Sequence, residues 1–304
     1  MHNLMICTND PHRYQQQIEA LELPGMELTD DPRLATILLA DPPAVANRLE
    51  DFPRLQWLQS TYAGIDTLTA PGLRRDYLLT NVRGCFGQLI SEYVLGNMLA
   101  LTRHLRDYHQ LQMQHRWSPK PYRSLAGLTM LILGTGSIGN QLATAARALG
   151  LRSVGVNRSG QSSNAGGFDD IAKIDMLDRW LPFADIVVST LPATPKTDDL
   201  LNAERLGLCQ GALLFNVGRG NALCEEGLLQ ALASGAIHHA FLDVFKQEPL
   251  PQEHPFWQHP QITVTPHIAA VSFPEDVVDI FADNYSLLAN NKPLRYLIDF
   301  NQGY

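Results

Sequence analysis

Cysteine is scarce in this chain: the 304 residues contain four, Cys7, Cys85, Cys209 and Cys224. None stands at C-x-x-C spacing, and four scattered thiols are too few for a disulfide framework. A reducing compartment suits them, and no metal site is expected. No run of about 18 apolar residues exists, which excludes a transmembrane helix. The opening Met1-His2-Asn3-Leu4 lacks a basic segment followed by an apolar stretch, so no signal peptide is expected and the chain is read as cytoplasmic. Basic residues are the minority, 23 Lys and Arg against 31 Asp and Glu, for a net charge of −8. Nucleic acid and anionic membrane both reward clustered positive charge, so neither is expected as a partner. Internal repeats and low-complexity linkers are also missing. What remains is 45% hydrophobic and 18% charged, the profile of a soluble globular protein large enough for one big or two ordinary domains.

The chain alternates short apolar runs with helical patterns. Leu4–Cys7, Ala35–Ala40, Leu55–Gln59 and Tyr77–Asn81 read as strands, and the third runs into the loop Ser60-Thr61-Tyr62-Ala63-Gly64-Ile65-Asp66. Such spacing implies a parallel sheet covered on both faces. Ile90, Val94, Met98, Leu101, Leu105 and Tyr108 recur at helical spacing from about Gln88 to His115. One helix of that length would run roughly 40 Å and is expected to link domains or carry a subunit interface. Beyond Trp117-Ser118-Pro119, strands are expected at Leu128–Leu133, Arg152–Val156, Ile186–Thr190, Ala212–Asn216, His239–Asp243 and Ile262–Thr265. A helix from Pro274 to about Asn290 follows, then a tail from Lys292 to Tyr304.

Gly134-x-Gly136-x-x-Gly139 follows an apolar strand and opens a helix, the context that gives this pattern meaning. The first glycine permits a tight turn, the second lets a pyrophosphate approach backbone, and the third packs helix on strand. Ser137, Ile138 and Gly139 then begin a helix whose N-terminus favours an anion. At the end of the next strand, where an NAD site usually places a carboxylate, stands Asn157-Arg158-Ser159. Arg158 can pair with a 2′-phosphate, and Asn157 and Ser159 can donate to it, so NADP(H) is the expected cofactor, with NAD(H) as the alternative.

Three further segments follow strands: Asn216-Val217-Gly218-Arg219-Gly220, Asp243-Val244-Phe245-Lys246-Gln247-Glu248-Pro249 and Thr265-Pro266-His267-Ile268-Ala269. Ends of parallel strands line the ligand crevice in an open α/β sheet. An arginine delivered there offers a fork for a carboxylate. A histidine can give or take a proton near neutral pH, and a carboxylate against it favours its protonated form.

These segments, with Leu191-Pro192-Ala193-Thr194-Pro195-Lys196-Thr197, resemble the D-isomer-specific 2-hydroxyacid dehydrogenases over nearly the whole chain. Glu92-Tyr93, Arg116–Pro119, Pro255–Pro260 and the closing Gly303-Tyr304 resemble the bacterial glyoxylate/hydroxypyruvate reductases within that family. The resemblance implies an NADPH-dependent reduction of a small 2-oxo acid to the D-2-hydroxy acid, with His267 as acid, Glu248 holding it and Arg219 on the substrate carboxylate. It implies cofactor contacts from Leu191, Pro192, Thr197, Val217, Asp243 and His267, with Asp243 on the nicotinamide carboxamide. It implies that Ala63 and Gly64 offer backbone N–H groups to substrate. Trp117 stands where relatives present an aromatic to a substrate pocket, a neighbouring subunit's or their own, or else packs on a helix end. Tyr62, Phe86, Gln88 and Ala270 depart from the common pattern, all toward the substrate end.

The expected architecture is two Rossmann-like, doubly wound α/β domains around a cleft that closes to exclude water. Residues 89–270 would form the NAD(P)-binding domain, and residues 1–88 with 271–304 a flavodoxin-like substrate domain, in a homodimer. Two other readings use the same residues: a non-catalytic dinucleotide-sensing regulator, and a formate- or phosphite-type dehydrogenase.

Overall fold

A computed structural model describes residues 1–161 and 166–300, so Gly303 and Tyr304 lie outside the described residues. The chain divides into two compact units, one of residues 1–85 with the chain from Ser272 onward, the other Phe86–Val271. The divisions fall at 85/86 and 271/272, beside the 88/89 and 270/271 read from the sequence.

The first unit is a parallel sheet of His2–Cys7 (β1), Met26–Leu28 (β2), Ile37–Ala40 (β3), Trp57–Ser60 (β4) and Leu78–Thr80 (β5), ordered β2-β1-β3-β4-β5. Every residue of β3 and β4 is buried, which is why both read as unbroken rather than alternating runs. Helices Pro11–Ala20 (α1), Pro42–Val45 (α2) and Pro274–Ala289 complete it. Asp10 caps α1 by accepting from the Arg13 N–H. Trp57 stacks on Phe281 with ring centroids 5.0 Å apart, and its indole N–H donates to Thr80 Oγ1 at 2.8 Å. Thr80 donates in turn to Gln59 Oε1 at 2.7 Å, which also accepts from Asn284 at 3.2 Å, so this buried polar chain is satisfied. Within the tail expected after Lys292, described residues pack on this unit. Leu297 bridges Thr80, and Ile298 is buried in the core.

The second unit begins with Phe86–Thr102 (α3) and Leu105–Met113 (α4), then Thr129–Leu133 (β6), Ser137–Ala148 (α5) and Arg152–Asn157 (β7). Asp170–Lys173 (β8), Leu177–Trp180 (α6), Ile186–Ser189 (β9), Ala203–Gly207 (α7) and Ala212–Asn216 (β10) follow. Glu225–Ser234 (α8), Ile237–Leu242 (β11) and Ile262–Val264 (β12) end it. All seven strands are parallel, in the order β12-β11-β10-β9-β6-β7-β8. Order reverses between β6 and β9, the topological switch point of a doubly wound sheet. Along β6, Leu131 and Leu133 belong to one apolar cluster while Met130 and Ile132 belong to another. Alternate residues thus feed two cores, one on each face. The two strands that sequence reading passed over, β2 and β8, are the short outer strands Met-Glu-Leu and Asp-Ile-Ala-Lys, too polar to signal burial.

The single helix expected over Gln88–His115 is corrected to two. α3 ends at Thr102, and His104 adopts left-handed φ of 56° before α4 starts. The cause lies further along the chain: His104 Nε2 meets the Pro121 carbonyl at 3.0 Å, and Arg103 lies over the Tyr122 ring at 4.1 Å. These contacts fold residues 120–122 against the break and override the helical periodicity. No helix among the described residues is long and apolar enough to cross a membrane.

Candidate active site

The glycine turn sits at the C-terminal end of β6, beside the switch point. Gly134 has φ of 108°, which L side chains rarely adopt. A Cβ at Gly139 would overlap the Gly134 carbonyl oxygen, so only glycine lets α5 pack this closely on the turn. Around Gly136, by contrast, a Cβ would meet nothing within 4 Å. The turn is therefore closed where it packs and open at the middle glycine, where α5 begins with Ser137, Ile138 and Gly139. The first helical bond in α5 is Asn140 N–H to the Gly136 carbonyl at 2.9 Å. A helix start of this kind leaves N–H groups for an anion, so the turn fits a dinucleotide pyrophosphate.

At the end of β7, the Asn157 amide is fully occupied within the protein. Its Nδ2 donates to Thr135 Oγ1 at 2.7 Å and to the Gln161 carbonyl at 2.8 Å. Its Oδ1 accepts from Ser159 N–H at 3.0 Å and Gly160 N–H at 2.7 Å. Ser159 Oγ donates to the Gln161 carbonyl at 2.9 Å. Asn157 and Ser159 thus build the loop that carries Arg158, and Thr135 ties that loop to the glycine turn. Thr197 is used similarly: its hydroxyl donates to the Pro192 carbonyl at 2.8 Å and accepts from Thr194 N–H at 2.9 Å, shaping the Leu191–Thr197 loop.

Arg219 follows β10 between two glycines that cannot be replaced without movement. A Cβ at Gly218 would lie 2.6 Å from Leu191 N and O, and one at Gly220 would overlap the Phe245 carbonyl group. Val217, nearly buried, donates its N–H to the Ser189 carbonyl at 3.1 Å. The Arg219 guanidinium donates to the Gly218 carbonyl at 2.7 Å. The ends of β9, β10 and β11 are therefore locked together by backbone contact. In the β11 loop, Phe245 N–H donates to Glu248 Oε1 at 2.9 Å, and Glu248 Oε2 meets His267 Nδ1 at 2.8 Å. The two side chains remain 46% (His267) and 36% (Glu248) exposed, open enough to reach a ligand. With Nδ1 engaged by a carboxylate, Nε2 is the ring nitrogen left for a substrate.

His267 has left-handed φ of 54°, which costs a non-glycine residue on the order of 1–3 kcal/mol unless its surroundings hold it. Asp243 supplies that hold. It is 2% exposed, and its carbonyl accepts the His267 N–H at 2.9 Å. Its carboxylate accepts Ile268 N–H and Ala269 N–H, each at 2.9 Å. Thr265 Oγ1 donates to the same carboxylate at 2.6 Å, and Tyr93 on α3 reaches Thr265 at 2.8 Å. Sequence reading missed Tyr93, Thr265 and Thr135 as supporting side chains. Thr265 and Thr135 lie inside recognised motifs, but Tyr93 stands 172 positions from its partner and carries no local signal.

Ala63 and Gly64 belong to the other unit, in the loop after β4. Asn81 Nδ2 donates to the Ala63 carbonyl at 2.7 Å, and Ser60 Oγ both donates to the Tyr62 carbonyl and accepts its N–H at 3.0 Å. Burial, reinforced by the charge of Asp41, pushes the Tyr62 phenol up, so it stays neutral. Trp117 is 98% exposed, so the helix-end packing considered for it is absent. Phe86 and Gln88 lie in α3, where Gln88 bonds Glu92 at 2.8 Å.

A parallel seven-stranded sheet with a glycine turn at its switch point, and with arginine, acid and histidine at neighbouring strand ends, defines a dinucleotide-dependent oxidoreductase. Residues 95–269 match the NAD-binding domain of the D-isomer specific 2-hydroxyacid dehydrogenases, and the chain belongs to that family, whose enzymes act on CH–OH donors with NAD(P). The chain is 36% identical over 218 residues to glyoxylate/hydroxypyruvate reductase A of Serratia proteamaculans, covering 71% of this chain and 69% of that one. A crystal structure of a D-isomer specific 2-hydroxyacid dehydrogenase family protein from Aeromonas salmonicida shares 44% identity with TM-score 0.94, covering 98% and 99% of the two chains. An NADPH-dependent glyoxylate/hydroxypyruvate reductase from Sinorhizobium meliloti, solved with NADP and sulfate, shares 26% identity with TM-score 0.87 over the full length of both chains.

Proposed function

We propose that this chain reduces a small 2-oxo acid of the glyoxylate or hydroxypyruvate kind to its D-2-hydroxy acid, with NADPH preferred over NADH. The observation that carries the reading is the His267 Nδ1 contact with Glu248 Oε2 at 2.8 Å, with an arginine held between Gly218 and Gly220 after the strand that pairs with β11. Bound NADPH would supply the hydride to the carbonyl carbon. His267, its Nδ1 turned to Glu248, delivers a proton from Nε2 to the carbonyl oxygen as negative charge develops there, and regains one from solvent after product leaves. Glu248 orients the ring by holding Nδ1 at 2.8 Å. Arg219 takes the substrate carboxylate in its planar fork. In the first unit, Ala63 and Gly64 are the substrate-binding residues of this reading, through their backbone N–H groups.

For the cofactor, Gly134, Gly136, Ser137, Ile138 and Gly139 hold the pyrophosphate. Arg158 pairs with the 2′-phosphate on the loop that Asn157 and Ser159 build. The loops of Leu191, Pro192, Thr197 and Val217, with Asp243 and His267, flank the nicotinamide end. No carboxylate stands at Asn157-Arg158-Ser159 to repel the 2′-phosphate, which supports NADPH. We also place the protein in the cytoplasm and read it as a homodimer. The homodimer reading rests on the exposed apolar side chains of Leu105, Met113, Trp117 and Tyr122 along α4 and its return, with Trp117 offered to the partner's substrate pocket. The deciding experiment assays oxidation of NADPH and of NADH against glyoxylate, hydroxypyruvate, pyruvate and phenylpyruvate. Fastest turnover with NADPH and with glyoxylate or hydroxypyruvate is expected. No turnover with any of the four would overturn the reading.

A further inference from the structure

We infer that Tyr93 and Thr265 are positioning residues for the proton-donating histidine, acting through Asp243 on the backbone that carries His267. The inference rests on the role proposed for His267 and extends it to two side chains that support its backbone through Asp243. Its physical basis is a hydrogen-bond chain with one allowed direction. Thr265 has a single hydroxyl proton, and that proton is donated to Asp243 Oδ1 at 2.6 Å. Its oxygen can then only accept from Tyr93, whose phenol lies 2.8 Å away. Burial, with a smaller push from Asp243, raises the Tyr93 phenol to about 12, so it remains a donor across the working range.

What Asp243 does with this support is specific. One residue accepts the N–H groups of three consecutive residues: His267 on its carbonyl, Ile268 and Ala269 on its carboxylate. Those three bonds hold His267 at φ of 54°, and with it the ring that meets Glu248. A carboxylate offers about four acceptor positions. Thr265, Ile268 and Ala269 take three, and the Thr265 bond decides how the group is turned toward the other two. If Thr265 loses its donor role, or Tyr93 no longer fixes which way Thr265 points, the carboxylate can rotate and the His267 backbone loses its register. Tyr93 lies on α3 and so couples that helix to the site loop.

Five variants test this: Tyr93→Phe, Thr265→Val, Thr265→Ser, His267→Ala, and Tyr93→Phe combined with His267→Ala. Each is assayed for NADPH-dependent glyoxylate reduction, and 2′,5′-ADP binding is titrated to verify that the dinucleotide side of the unit is intact. Tyr93→Phe and Thr265→Val should lower kcat about tenfold with the KM for glyoxylate within about twofold, while Thr265→Ser keeps the hydroxyl and restores kcat. In the His267→Ala background, Tyr93→Phe should cost nothing further, because the group it positions is gone. Unchanged kcat in both Tyr93→Phe and Thr265→Val, failure of Thr265→Ser to rescue, or a full additional loss on His267→Ala would each overturn the inference. A fully active His267→Ala enzyme would instead overturn the proposed function itself, so the two failures are distinguishable.

Discussion

The two units are built alike and end differently. Both are all-parallel sheets under helices, and in both the strand ends carry the polar residues. In the first unit those side chains serve backbone: Asp41 accepts the Asn9 N–H and the Thr61 hydroxyl, Ser60 clamps Tyr62, and Asn81 holds Ala63. In the second unit the buried Asp243 supports backbone in the same way, but Glu248 and His267 stay in reach of solvent. A scaffold that spends its side chains on loop geometry offers fixed N–H groups, which bind but do not exchange protons. One that leaves an imidazole and a carboxylate open offers chemistry. Substitutions in the first unit should therefore act on substrate affinity alone, and only those in the second should reach turnover.

The largest expected effect is at His267, the proton donor proposed above. His267→Ala should lower kcat by about 10²–10⁴-fold with NADPH affinity retained, read by steady-state kinetics and fluorescence titration. Next comes Arg219→Lys, which keeps charge but loses the planar fork. Losing charge-assisted bonds of about 1.5–3 kcal/mol corresponds to roughly 10–100-fold in kcat/KM, shared between kcat and KM. Arg158→Ala should weaken NADPH by a similar 10–100-fold while NADH changes little, and an equal loss for both would remove Arg158 from 2′-phosphate recognition. For the first unit, Asn81→Ala frees the Ala63 carbonyl from a bond worth about 0.5–1.5 kcal/mol. It should raise the KM for glyoxylate a few-fold at constant kcat, and a kcat loss without a KM change would break the comparison between the units.

The smallest effect concerns acid stability. Burial, helped by Arg106, His238 and His259, holds His239 down at about 4, below its ordinary 6.5. A depressed histidine contributes stability above its unfolded value and loses it as pH falls from about 6.5 through 4, because the unfolded chain takes up the proton first. The melting temperature should drop over that window, and His239→Gln should flatten the drop. An identical pH profile in the variant would show that His239 is not responsible.

Local patterns were legible and distant ones were not. The glycine turn, Arg219, Glu248 and His267 each lie within a few residues of a strand end, so the strand pattern and the motif announce them together. The break at His104 was invisible because it depends on Pro121 and Tyr122 folding back, and periodicity over Ile90–Tyr108 continues through it. The chemistry of Asn157 and Ser159 suits them to donate to a ligand, yet in the fold their bonds go to Thr135, Gln161 and Gly160 within the protein. The sequence marks Tyr93 only as part of a family resemblance, and its partner is not legible there because only the fold brings it to Thr265, 172 positions away.

The central claim is that His267 and Glu248 act as one proton-delivering pair. Its most direct test is a double-mutant cycle on kcat for NADPH-dependent glyoxylate reduction, using His267→Ala, Glu248→Gln and the combination. Glu248→Gln alone should slow turnover by less than His267→Ala, and the double variant should be no slower than His267→Ala. Losses that multiply in the double variant, or a His267→Ala enzyme at the wild-type rate, would contradict it.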